Sequence, residues 1–293
     1  MIDGVKLSGN RGGLYIVLVF SLSTSLFVWL INGLRSRNFR YFELFRNSSK
    51  TQKEIFVKLS LSTLAVYVIT VFGIIAVSPG IINFIEYGLM PGMTLYLAIK
   101  VNKETASTSQ KIATVIGLVG VVLFTFIPDS KGSLPHGFEW AIWIVLFAVS
   151  AYLTSLCSLY QKKLVETGMT PHEVLLYRFP LSAIICAVGC LIFKVDINFK
   201  ILPELLLISL FTVFLPLWLL CYAFIRESLG RFSIYLLFIP VFTVIIGAIF
   251  RTDRLSIYKN QLFLIGSGII LFGFLFFEGA IFLKAKRKTD KIA

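Results

Sequence analysis

Nine runs of about twenty apolar residues dominate this chain, at roughly 14–33, 55–77, 80–99, 110–128, 139–160, 173–193, 203–225, 231–250 and 260–283. Each is long enough to cross the ~30 Å hydrocarbon core of a bilayer as a helix rising ~1.5 Å per residue. The expected fold is therefore an all-α integral membrane bundle with nine transmembrane helices. The runs take about two-thirds of the 293 residues, which leaves connections too short for a separate soluble catalytic module. Composition agrees: 57% of residues are apolar and 15% charged, with a mean hydropathy of +0.86. Soluble domains run near 45–50% and 25%, so an ordinary soluble or disordered chain is excluded. The first run follows Lys6 and Arg11 but is too long for a signal-peptide core, and it ends in Asn32-Gly33-Leu34-Arg35 without a small-residue cleavage site. It is expected to stay in the membrane.

The net charge of +13 would suggest nucleic acid on a soluble chain. Here the segments 34–54 and 284–293 carry +4 each and border apolar runs, so the basic excess reads as topology and no nucleic-acid partner is expected. Connections 34–54, 100–111, 161–170, 226–231 and the tail hold 18 Lys/Arg. The N-terminus and connections 78–79, 129–138, 194–202 and 251–259 hold 8. The positive-inside rule then puts the N-terminus outside and the C-terminus in the cytoplasm, as in the plasma (inner) membrane of a prokaryote. Cys157, Cys186, Cys190 and Cys221 all fall inside apolar runs without metal-ligand spacing, so neither disulfide, metal nor cofactor is expected.

A repeat runs through the chain at an offset of 149 residues. Ser60-Leu61-Ser62-Thr63 falls on Ser209-Leu210-Phe211-Thr212, Pro91 on Pro240, Glu104 on Asp253 and Gly117 on Gly266. The offset contains five crossings, so the copies lie in the membrane with opposite orientation, a plan typical of secondary transporters. With these residues in place, the chain resembles the drug/metabolite transporter superfamily, in particular its EamA-type members with two five-helix repeats. Tyr160-Gln161-Lys162-Lys163-Leu164, Thr170-Pro171 and Arg178 are similar to the family's sixth-to-seventh-helix passage. Pro240, Asp253, Gly266 and Gly273 are similar to its ninth-to-tenth-helix passage. The family's Gly-Glu turn is Lys103-Glu104 and Thr252-Asp253 here. The first repeat, 1–128, has four spans and lacks the family's first helix; the second, 129–293, has five. Either a helix upstream of Met1 completes it, or this is a nine-helix member that pairs with a second copy. An unfilled groove is expected to expose Ser21, Thr24 and Ser25 to lipid.

Polar residues deep in a span are costly and mark candidate sites. Glu86 is the one acid well inside a run, sharing a helix face with Asn83 and Met90, while Gly88 and Gly92 face the other way. Glu86 reads either as a proton or cation carrier or as a structural, protonated acid. Ser60, Thr63, Tyr67 and Thr70 share one face of the second span, suited to solute contact or to plain interhelical hydrogen bonds. Trp218 and Tyr222, at i and i+4, could wall an apolar or cationic ligand, and packing is the rival reading. Tyr235 is the repeat mate of Glu86. Arg178 suits an anionic solute, a gate brace or a snorkelling anchor. Pro91 and Pro240 are expected to kink their helices at matching positions. Phe39, Tyr41, Phe42, Leu44 and Phe45 alternate with Arg37, Arg40 and Arg46, as in an interfacial helix on the inner leaflet, with a plain linker as the rival reading.

The expected function is a secondary transporter that exports a small organic solute across the lipid bilayer by alternating access, with proton coupling open. The resemblance implies amino acids, other metabolites or drugs as cargo. The rivals are an integral-membrane enzyme acting on lipid, for which no H-E-x-x-H or G-x-S-x-G exists, and a non-transporting scaffold subunit.

Overall fold

In a computed structural model, residues 9–36, 45–76, 79–125, 138–195 and 199–236 are described, together with a discontinuous set between 265 and 279. All regular structure among them is helical. Helices α1 (Gly9–Ser36), α2 (Lys50–Ala76), α3 (Pro79–Lys100), α4 (Thr108–Thr125) and α5 (Phe138–Glu166) follow the first five apolar runs. The sixth run is split into α6 (Pro171–Arg178) and α7 (Pro180–Ile192). The seventh is α8 (Leu202–Ser209), a wide π turn (Leu210–Phe214) and α9 (Leu215–Arg226). Helix α10 (Leu229–Tyr235) opens the eighth. Pro240, Asp253, Gly266, Glu278 and most of the interfacial segment 37–46 lie outside the described residues.

The helices begin where local chemistry says they should. Ser49 and Gln52 form a reciprocal capping box at the head of α2, with Ser49 N–H on Gln52 Oε1 at 2.9 Å and Gln52 N–H on Ser49 Oγ at 3.2 Å. Ser107 and Gln110 do the same for α4, and Thr170 and Glu173 for α6. Ser228 caps α10 by accepting Arg231 N–H. All four caps sit in connections expected to be cytoplasmic. The breaks are also local. Pro180 has no N–H to give the carbonyl of Leu176, so the sixth span turns at Phe179. Pro216 deprives Thr212 in the same way, and the wide turn just before it absorbs the mismatch. By contrast, α3 runs through Pro91 without interruption.

Among the described residues three segments are long and apolar enough to cross a membrane: Lys50–Gly73, Ala141–Glu166 and Pro171–Ile192. Within the protein only 28% of the most apolar stretch of the first is buried. An apolar face left that open is stable against lipid and not against water. In α7, Leu191 is 78% and Ile192 68% exposed.

The chain forms two compact units that do not coincide with its two sequence halves. Unit 1 is Met1–Ala76 with Leu156–Glu227; unit 2 is Val77–Ser155 with Ser228–Ala293. In unit 1, α1 packs on α2, α7 and α8, around a core that includes Leu59, Leu164, Leu175 and Phe214. In unit 2, α3 packs on α4 and α10. A Cβ on Gly92 would stand 3.1 Å from Leu118 Cδ1, and one on Gly273 3.1 Å from Ile116 Cγ2. Both glycines therefore let a neighbouring segment approach α4 closely.

The expected exposure of the first span's polar face is corrected by this packing. Ser21 and Thr24 are fully buried, and Thr24 and Ser23 meet Ser209 of α8 through their hydroxyls. Ser25 is half-buried, and its Oγ donates to the carbonyl of Ser21 at 2.8 Å. Burial against α8 gives Ser23 and Thr24 a partner that lipid would not, while Ser21 Oγ is buried without one.

Candidate functional site

The expected site residues fall in both units. Tyr67, Arg178, Trp218 and Tyr222 belong to unit 1, and Asn83, Glu86, Pro91 and Tyr235 to unit 2.

In unit 2, Glu86 is 3% exposed on α3. Its Oε1 accepts Ser150 Oγ–H at 2.9 Å and Thr154 Oγ1–H at 3.2 Å, both from α5, where i and i+4 spacing puts them on one face. One turn along, Ser155 donates to the carbonyl of Met90 and accepts from Thr94. These α5 hydroxyls went unnoticed in the sequence because Ser and Thr are common in apolar runs. Their only signal was the spacing Ser150, Thr154, Ser158. Asn83 lies on α3, and its side chain is outside the described residues. Tyr235 lies at the end of α10, 36% exposed.

In unit 1, Trp218 and Tyr222 of α9 come together in an edge-to-face pair, ring centroids 5.1 Å apart. Both reach His172 of α6, which the sequence reading had passed over. Trp218 Nε1–H donates to His172 Nδ1 at 3.1 Å, and Tyr222 Oη lies 3.4 Å from His172 Nε2. An indole nitrogen can only donate, so Nδ1 is an acceptor and a neutral His172 carries its proton on Nε2, facing Tyr222. Phe214 continues the aromatic stack from Trp218 to Phe27 on α1. His172 owes its place to the Thr170-Pro171-His172-Glu173 cap, which was legible as a helix start.

Arg178 ends α6 and is 5% exposed, so the snorkelling reading is overturned: its guanidinium points into the unit. Nε–H donates to Thr63 Oγ1 of α2 at 3.0 Å, and Thr63 in turn touches Cys157 of α5 at 3.6 Å. Tyr67, one turn further along α2, packs its ring 6.0 Å from that of Phe179. Gln161 of α5 is fully buried, with its amide nitrogen 3.4 Å from Cys221 Sγ. Beside this cluster α1, α2, α6 and α7 enclose an apolar groove of about 780 Å³, with Leu26, Trp29, Ser60, Tyr177 and Ile184 in its walls.

Residues 141–278 match the EamA-like transporter family. The chain carries an EamA-like transporter domain. Together with the apolar helices, that match indicates an integral membrane protein. The EamA-like region contains Arg178, Trp218, Tyr222, Tyr235 and Pro240, while Tyr67, Asn83, Glu86 and Pro91 precede it. A solved structure described as a crystal structure of a protein superposes with a TM-score of 0.65 at 13% identity, over 90% of this chain and 86% of the other. At that identity the likeness is one of fold, and it extends beyond the EamA-like region to nearly the whole chain. No curated protein matches.

Proposed function

We propose that the protein is a secondary transporter of nine transmembrane helices that exports a small organic solute (an amino acid, another metabolite or a drug) by alternating access of two inverted repeats, 1–128 and 129–293, with Glu86 as the proton carrier. The observation that supports the coupling is the setting of Glu86: a carboxyl 3% exposed whose Oε1 accepts from two neutral hydroxyls. Hydroxyls can serve the protonated and the ionised acid alike, so the site tolerates both states. A carboxyl protonated when shielded and ionised when open to water can exchange a proton for solute.

The repeat has independent support in the path of the chain. It passes from unit 1 to unit 2 after Ala76 and again after Glu227, positions 151 apart against the sequence offset of 149. A repeat whose copies exchange helices would cross at equivalent places. The cytoplasmic side has support in contacts between connections. Gln52 Nε2–H donates to Thr167 Oγ1 at 3.2 Å, and Lys162 Nζ donates to the carbonyls of Phe224 and Glu227 at 2.6 and 3.0 Å. Glu104 accepts the N–H groups of Leu229 and Gly230 at 3.1 and 2.8 Å. Apart from the carbonyl of Phe224, at the very end of its run, these contacts join pairs of connections that the basic residues assign to the cytoplasm. The groove beside α1 is where a partner helix is expected, from upstream or from a second copy. We place the protein in the plasma membrane of a prokaryote, N-terminus outside.

Counterflow of radiolabelled amino acids into proteoliposomes, with and without a pH gradient, tests the reading. Glu86→Gln keeps shape and hydrogen bonding and should abolish the response to the gradient, and Glu86→Asp should keep part of it. Unchanged pH dependence in the Gln variant would make Glu86 structural and remove the coupling.

A further inference from the structure

Resting on the transporter reading above, we propose that Arg178 holds the anionic end of the solute and that this end is a carboxylate. The guanidinium is 5% exposed, and its Nε–H is spent on Thr63. Its Nη1 is sealed from solvent without any acceptor. Among the described residues no carboxylate pairs with it. Arginine cannot shed its charge as a lysine or histidine can, so a buried, unpaired guanidinium is strongly disfavoured unless something else supplies the counter-charge. The last carbonyls of α6 and the ring of Phe179, 5.7 Å from Cζ, soften the charge without neutralising it.

The orphan is not alone. Gln161 Oε1, on α5, is buried without a donor, and so is Ser60 Oγ, one turn before Thr63 on α2. Cys157, which touches Thr63, and Cys221, which touches Gln161, both lie close enough to Arg178 to feel its charge. A protein core normally satisfies nearly every buried polar atom. An open Arg178 Nη1 on α6, with Gln161 Oε1 of α5 and Ser60 Oγ of α2 also unsatisfied in the same unit, fits a missing guest better than a finished structure.

The chemistry of the guest follows from the donors. One planar, delocalised charge with its Nη1 open matches the planar, charged oxygens of a carboxylate. A phosphate dianion would call for a second cation, and none joins this cluster among the described residues. Gln161 Oε1 needs a donor, which a hydroxyl or N–H next to the carboxylate would supply. The solute is thus a monocarboxylate bearing a neighbouring hydrogen-bond donor.

The probe is 3-phenyllactate against its neutral amide, read as thermal unfolding of the full chain in detergent. Wild type should be stabilised by several degrees by the acid at millimolar concentration and not by the amide. Arg178→Gln should melt no lower than ligand-free wild type, because an uncompensated charge has gone, and should lose the shift. Arg178→Lys keeps the charge but not the fork, and should need about ten-fold more ligand for the same shift. Equal shifts for acid and amide, or an undiminished shift in either variant, would overturn the proposal. The assay reads binding alone. A chain that transports yet shows no acid-specific shift loses this site only; one that binds the acid and moves nothing keeps the site and loses the transporter reading.

Discussion

Glu86 in unit 2 and Arg178 in unit 1 are buried to nearly the same degree, at 3% and 5% exposed, yet their surroundings differ in kind. The acid sits among hydroxyls that accommodate it as it stands. The cation sits beside one hydroxyl, with an open Nη1 and three further orphan polar atoms in its unit. A group that can lose its charge and is fully surrounded suits a step that repeats every cycle. A group that cannot lose its charge and is partly abandoned suits something that comes and goes. On the reading proposed above, the two sites would divide the labour of a coupled carrier, with the proton on one and the solute's charge on the other.

The sharpest way to break this contrast is to strip Glu86 of its partners. Ser150→Ala with Thr154→Val removes the two donors to Oε1 and should destabilise the protein by about 2–4 kcal/mol, at 1–2 kcal/mol for each lost bond to a buried carboxyl. Adding Glu86→Leu to that background should recover part of the loss, since no orphaned acid remains. Thermal unfolding of the four variants of this cycle gives the coupling directly. A neutral double variant would mean that Glu86 is held elsewhere, and the contrast with Arg178 would lapse.

How much of this was legible in the sequence depends on the range of the interaction. Helix positions follow from apolar run lengths and local caps, so the Ser49, Ser107, Thr170 and Ser228 starts were all readable within four residues. The breaks at Pro180 and before Pro216 are equally local, each set by a proline inside an apolar run. Glu86 and Arg178 stood out because charge in an apolar run is rare. Their partners did not. Nothing near Arg178 in sequence points to Thr63, 115 positions away, and nothing near Trp218 points to His172. The division into interleaved units was likewise invisible, because helices that are neighbours in sequence can belong to different packing groups.

A smaller test acts on the Arg178 side. Thr63→Val keeps the shape of α2 but takes away the acceptor of Arg178 Nε–H and the contact to Cys157. The expected cost is about 1–2 kcal/mol of stability, for one bond to a charged donor. Carboxylate affinity should fall as well, because the fork loses the anchor that sets its angle. If stability falls and affinity for 3-phenyllactate stays, Thr63 braces the helix pair and does not aim the guanidinium.

The smallest effect expected separates two identical motifs in one unit. Thr170→Ala and Ser49→Ala each delete a capping box, worth about 1 kcal/mol. Their consequences should diverge because the helices they start differ. Helix α2 has 27 residues held by packing along its length, and fraying its first turn disturbs little that matters to solute. Helix α6 has eight, confined between Thr170 and the break at Phe179–Pro180, and it carries both His172 and Arg178. A loose first turn there shifts His172 against Trp218 and lets the far end, with Arg178, wander. Thr170→Ala should therefore weaken the 3-phenyllactate shift by several-fold at a stability cost no larger than that of Ser49→Ala, which should leave the shift intact. Equal retention of binding in both variants would show that α6 is positioned by its packing and not by its cap. In that case the open valences of Arg178 would belong to a rigid feature of unit 1 and not to a short helix tuned from its N-terminus.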